Sequence, residues 1–312
     1  MQRVNFVQAN IVQSSIKLSL KGPQGDVTLK YPKQFLTSPN PLEEMTQMAG
    51  KLVFVGYGIV APELQHNDYH DMNVKGKVVV ALSGKPKSFP SEEGAHFGSN
   101  REKKRHASEN GAVGFITIST PTAEKVRPYQ NLLNFLHTPA VRWLNKDGDP
   151  SGVFAKLKGS AYFSKEAANL LFADATLNLE QIYDILEKDE SPPGFELSMN
   201  IQLESTSTHK ANSSPNVAAI LEGSDPTLKN EYVVYSAHSD HIGFAKTVKK
   251  DKINNGAMDN ATGTSVLMET ARLFSQLDER PKRSILFLAV TGEEKGLLGS
   301  DYYAQNPTVP VG

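Results

Sequence analysis

Between Tyr232 and Ser300 the residues that stand out are an imidazole, His238, and the carboxylates Asp259, Glu293 and Glu294. Each stands at the end of an apolar run or in the loop after it. Imidazole nitrogen with carboxylate oxygen is a donor set for zinc, and a carboxylate left off the metal can move protons. The inventory is that of metal-dependent hydrolysis. Asp240 follows His238 by two, so an extended backbone puts both on one side. There the carboxylate is expected to accept the second imidazole N–H and fix the ring. His241 faces the other way in the same reading and is not expected to be a ligand.

Each motif alone has a plainer explanation. His238 could be a satisfied polar residue at a strand end. Gly256-Ala-Met-Asp-Asn-Ala-Thr-Gly-Thr264 is a polar loop feeding a helix, with Asn260 or Thr262 as its cap. A carboxylate near a helix N-terminus is favourable with or without a metal. The glycosylation sequon Asn260-Ala-Thr262 reads as coincidence in such a loop. Paired glutamates are commonly surface charge. Glu293-Glu294, however, directly follows Ser284-Ile-Leu-Phe-Leu-Ala-Val290, a run apolar enough for a strand covered on both faces. Two ionised neighbours in a confined site repel unless a cation holds one of them.

The elements that must carry these groups alternate strand and helix. Residues 216–221, 232–237 and 284–290 read as short strands, and Thr264–Leu277 as an amphipathic helix. Its expected broad apolar face holds Val266, Leu267, Ala271, Leu273, Phe274 and Leu277. An α/β sheet is the implied class, with ligands gathering at the C-terminal strand ends. Upstream, residues 1–44 alternate like strands (Val4, Phe6; Ile16, Leu18, Leu20; Val27, Leu29) between Gly-Pro and Ser-Pro-Asn-Pro breaks. Lys77–Leu82 and Val113–Ile118 are strand-like and flank a polar helix at about 100–110. Further helices are expected around 165–172 and 179–186, and a strand at 195–203.

The 312 residues suffice for two domains, and a net charge of −1 gives no reason to expect nucleic acid as partner. The basic run Arg101–His106 is expected to be a solvated helix face. There is no cysteine, which excludes disulfides and thiolate ligands. No apolar stretch approaches the roughly 18 residues of a membrane span, and the start lacks a signal-peptide pattern.

Together, Ala237-His-Ser-Asp240, Gly256-Ala-Met-Asp-Asn-Ala-Thr-Gly263 and Gly292-Glu-Glu-Lys-Gly-Leu-Leu-Gly-Ser300 resemble the zinc exopeptidase family. That family includes bacterial leucyl aminopeptidases, aminopeptidase Y and glutamate carboxypeptidase II. The resemblance covers about residues 213–312. Lys51–Ile118, with Asn67-Asp-Tyr69 and Val74-Lys-Gly-Lys-Val-Val79, resembles the protease-associated domain inserted in many of these enzymes.

The resemblance implies a partial zinc-exopeptidase α/β sheet with helices, plus an inserted β-rich protease-associated domain. The implied segments are catalytic-domain strands at 1–44, the insertion with following helices at 45–205, and the N-terminal part of the catalytic domain at 206–312. It implies two Zn2+ per complete site: His238 on one, Asp259 bridging, Glu294 on the second. Glu293 would be the general base, and Asp240 would orient His238. The Asp259–Asn260 peptide would be cis, and Met258 stands where relatives often have an acid. The reaction implied is hydrolysis of a terminal peptide bond, releasing an N-terminal amino acid, in a secreted or periplasmic setting. The family's further aspartate and histidine ligands have no counterpart here, since Asp301 falls on the helix side of its motif. The chain is therefore expected to be cut at both ends, with an unpaired sheet edge and apolar surface that favour self-association. Two other readings are a peptide-binding protease-associated module without activity, and a related zinc carboxypeptidase or deacylase. Trp143 is expected to pack rather than line a substrate pocket.

Overall fold

Apolar runs become strands and amphipathic runs become helices along most of this chain, and the computed structural model describes residues 1–246, 248 and 250–310. In chain order the first elements are β1 (Gln2–Gly22), β2 (Gly25–Leu29), β3 (Phe35–Thr37), β4 (Met45–Phe54), β5 (Val60–Ala61), β6 (His66–Asn67) and β7 (Val78–Leu82). Next come α1 (Ser91–Phe97), α2 (Asn100–Glu109), β8 (Gly114–Ile118), α3 (Pro121–Val126), α4 (Tyr129–Leu132), β9 (Ala140–Trp143) and β10 (Ser160–Phe163). The rest are α5 (Lys165–Phe172), α6 (Leu179–Glu187), β11 (Phe195–Leu221), β12 (Tyr232–His238), α7 (Thr262–Ser275), β13 (Ser284–Val290) and α8 (Leu298–Gln305).

Two units result. Residues 1–8, 141–151 and 210–312 form the first, and residues 9–140 and 152–209 the second. This grouping differs from the expected segments 1–44, 45–205 and 206–312. The reason is packing: Val4, Phe6 and Trp143 bury themselves with Leu298 in the first unit, whereas Leu18, Leu20 and Leu29 join the core of the second.

In the second unit the strand order is β11–β4–β7–β8–β10–β3. The pairs β4–β7, β7–β8 and β8–β10 are parallel, and β11 and β3 close the two ends antiparallel. Every residue of β7 (Val-Val-Val-Ala-Leu) and of β8 (Gly-Phe-Ile-Thr-Ile) is buried, as continuous runs in a covered parallel sheet should be. Helix α2 makes the crossover between them, capped by the Ser99 hydroxyl, which accepts from the Glu102 N–H. The Arg101–His106 run corrects an expectation. It is not a wholly solvated face, because Lys103 and His106 are buried. A long aliphatic stem lets Lys103 reach under the sheet end. Its Nζ donates to the carbonyls of Leu82 and Gly84 at 2.7 and 2.5 Å. Burial pulls that amine down to about 7, against the opposing charge of Asp68.

In the first unit β13 is central. It pairs parallel with β12, in register from Tyr232↔Ser284 to His238↔Val290, and antiparallel with β11 from Val217↔Ala289 to Leu221↔Ile285. All of β13 except Ala289 is buried. Strand β12 is an edge, and Val233, Val234 and Tyr235 are 44%, 53% and 38% exposed. Helix α7 splits its expected apolar face. Leu267, Ala271 and Phe274, at i, i+4 and i+7, pack on Ile285 and Phe287. Val266 and Leu273 lie on the other side at 60% and 53% exposure, and Leu277 falls beyond the helix end.

Candidate active site

Parallel pairing of β12 with β13 brings their C-terminal ends side by side, so the loops after His238 and Val290 leave from one edge. Ser239 continues the register with its N–H on the Val290 carbonyl at 2.9 Å. The third loop arrives through α7, where the Thr264 hydroxyl donates to the His238 carbonyl at 2.9 Å.

The turn holding the glutamates is built by two glycines and one buried amide. Gly292 (φ 66°) and Gly296 (φ 108°) take left-handed conformations on either side of Glu293–Lys295. Asn216, fully buried, accepts from the Thr291 N–H at 3.0 Å and donates to the Gly299 carbonyl at 2.9 Å. It thereby ties β11, the turn and α8 together. The sequence offered only its place at a strand start as a sign of this role. Gly299 lies so close that an added Cβ would stand 2.1 Å from the Thr291 oxygen.

His238 is nearly buried, and its Nδ1 donates to the Asp240 backbone carbonyl at 3.1 Å. Here the structure differs from the expectation for Asp240, whose carboxylate lies 3.9 Å from that nitrogen. The carboxylate accepts instead from the backbone N–H groups of Glu293 and Glu294, at 3.1 and 3.3 Å. The chain turns after β12, so the two-residue spacing no longer puts carboxylate and ring on one side. Asp240 holds both loops, with its carbonyl on the histidine and its side chain on the glutamate turn.

The other ring nitrogen of His238, Nε2, lies 3.0 Å from Asp259 Oδ1 and 3.8 Å from Glu293 Oε2. Asp259 sits in a tight turn, Ala257–Ala261, at non-helical angles (φ −122°, ψ 87°), and the peptide bond after it is cis. Asn260 does not project freely, as its Oδ1 accepts from the Gly263 N–H at 2.9 Å. Glu294 turns to a residue set aside in the sequence: His241 Nδ1 donates to its Oε1 at 2.6 Å. Trp143, 4% exposed, packs as expected, and its Nε1 donates to Asp301 Oδ2 at 2.7 Å.

Electrostatics follow from this crowding. Desolvation lowers the His238 pKa, but the Asp240 carbonyl, the charges of Glu293 and Asp240, and Asp259 outweigh it and hold the imidazole above its ordinary value. With Nδ1 donating to a carbonyl, a neutral ring points its Nε2 lone pair at a carboxylate oxygen. Two electron pairs then meet, and the contact needs positive charge, from a proton or a metal cation. The donor chemistry of His238 with Asp259 therefore fits zinc, with the Glu293 carboxylate beside them. Among the described residues no group of three or more His, Cys, Asp or Glu is already disposed to hold a metal ion.

Comparison with known proteins finds the following similarities. The model for peptidase family M28 matches residues 216–311. A probable zinc metalloprotease of Pyricularia oryzae is 39% identical over 90 residues, which cover 29% of this chain and 17% of that protein. Aminopeptidase NAALADL1 of Rattus norvegicus is 31% identical over 123 residues, covering 36% of this chain and 15% of that one. Among solved structures, the aminopeptidase from Aneurinibacillus sp. strain AM-1 aligns over 98% of this chain and 56% of its own, at 19% identity and a TM-score of 0.45. The zinc aminopeptidase BSAP from Bacillus subtilis aligns at 18% identity and a TM-score of 0.35, over 97% and 55%. The chain thus spans under a fifth of these two curated relatives and a little over half of the two structures.

Proposed function

We propose that this chain, whose residues 216–311 match the model for peptidase family M28, contributes part of a zinc-dependent exopeptidase site of the aminopeptidase type. The carrying observation is the approach of His238 Nε2 to Asp259 Oδ1 at 3.0 Å with Glu293 Oε2 at 3.8 Å. His238, Asp259 and Glu294 would hold two zinc ions. Bound there, zinc lowers the pKa of water toward neutrality and polarises a carbonyl.

The chain's own groups do the rest. Glu293, about a third exposed on its side chain, takes a proton from the attacking water and returns it to the leaving amine. Asp240 holds the Glu293 and Glu294 backbone, and its carbonyl fixes the His238 ring. The substrate is a peptide, cut at a terminal bond. Equilibrium dialysis against zinc with elemental analysis tests the reading. With its site incomplete, the chain is expected to bind zinc weakly and hydrolyse little, and His238→Ala and Asp259→Asn are expected to bind less zinc still. Equal zinc in all three proteins would overturn it.

The proposal extends to the second unit as a protease-associated domain and to a secreted or periplasmic protein. It also includes self-association of copies through the exposed β12 edge. Sedimentation across a concentration series checks this last point, and a strictly concentration-independent monomer would exclude it.

A further inference from the structure

We propose that His241 is a positioning residue for the metal site, selecting the orientation of the Glu294 carboxylate; this rests on the zinc reading above. Strand alternation sends His241 away from Asp240, but β12 ends at His238 and the alternation ends with it. Ser239 stays bonded to Val290, while the Asp240 carboxylate grips the Glu293 and Glu294 N–H groups. The segment therefore wraps the base of the glutamate turn and delivers His241 to the Glu294 side chain.

Two neighbours then hold the side chain. Nδ1 donates to Glu294 Oε1 at 2.6 Å, with the two side chains only 24% and 17% exposed. The base of the His241 side chain lies close to Gly256, where an added Cβ would stand 3.0 Å from His241 Cβ and Cγ. Gly256 opens the turn that carries Asp259. His241 thus bridges the loop of one proposed ligand to the carboxylate of another. A carboxylate with one oxygen held by an N–H keeps its second oxygen, in a fixed direction, for a cation. Imidazole–carboxylate partnering of this kind orients ligands, and its loss costs about 10–100-fold in metal affinity.

Cobalt(II) titration followed by visible absorption tests this on the whole chain, without reference to turnover. His241→Phe keeps a ring but no donor, and His241→Asn places an amide N–H near the position of Nδ1. The expected result is cobalt affinity lowered about 10–100-fold by His241→Phe and largely recovered in His241→Asn. Unchanged affinity in His241→Phe overturns the inference. So does an Asn variant as weak as Phe while its circular-dichroism melting matches the parent. If His238→Ala abolishes cobalt uptake and His241→Phe does not, the zinc reading stands and only this inference falls. If the unaltered chain takes up no cobalt, both fall together.

Discussion

Strands β7 and β12 are both short apolar runs in parallel pairs, yet they meet opposite environments. All five residues of β7 are buried, between β4 and β8 in the second unit. In β12, an edge strand of the first unit, Val233, Val234 and Tyr235 keep much of their surface. The same contrast holds around them. The second unit gathers Phe35, Phe54, Phe163 and Phe172 into a large core, beside a smaller cluster around Phe115. The first divides its apolar residues among three small clusters. Apolar composition makes a strand, but only neighbours on both faces make a core. In the first unit, Asn216 and Gly299 pack closely on Thr291, where β13 hands over to the glutamate turn.

Substitutions can break this contrast. The largest effect is expected for Phe54→Ala. Phe54 is fully buried, with Phe172 and Phe195 at ring centroid distances of 5.3 and 5.2 Å. Urea unfolding should show a loss of about 3–5 kcal/mol. A loss no larger than that of a surface valine would deny the second unit its packed core.

Gly299→Ala probes the dense part of the first unit, since its methyl would meet the Thr291 oxygen and the Asn216 amide. A cost of about 1–3 kcal/mol is expected, read as faster hydrogen exchange at Thr291. Unchanged exchange there would show that α8 does not brace the glutamate turn.

The buried Lys103 makes the second unit's stability depend on pH. Its folded pKa, about 7, lies below the ordinary 10.5. Between those values the unfolded chain holds more protons, so stability rises with pH, at most about 1.4 kcal/mol per unit. Neutral Lys103 still has two N–H groups for the Leu82 and Gly84 carbonyls. Urea unfolding at pH 7, 8 and 9 should show the rise, and Lys103→Met should flatten it. Parallel profiles for the two proteins would refute the burial argument.

The smallest effect is expected at the exposed strand. Val234→Thr should change stability by less than about 0.5 kcal/mol, because Val234 is 53% exposed and threonine suits a strand. A change above 1.5 kcal/mol in sedimentation-verified monomer would mean that β12 is covered in solution.

Much of this was legible in the residues. Strands at 216–221, 232–237 and 284–290 follow from uninterrupted apolar runs between turns, and the helix after Asp259 from its spacing. His238, Asp259 and Glu293 stood out as donors in loops after such runs, and their side chains meet. What escaped was everything that depends on a turn's direction. The Asp240 carboxylate serves the glutamate backbone rather than the imidazole, and His241 reaches Glu294, because the alternation rule stops where β12 stops. Lys103 escaped for a related reason, as its charge reads as surface while its stem reaches two carbonyls under the sheet.

Sequence alone determined the strands and helices with a strong apolar pattern, and which side chains can donate to a metal, because periodicity and functional groups are local properties. Tertiary structure decided which partner each group takes and which apolar faces are covered. Those outcomes depend on loops crossing between strand ends, over distances that no periodicity in the chain encodes.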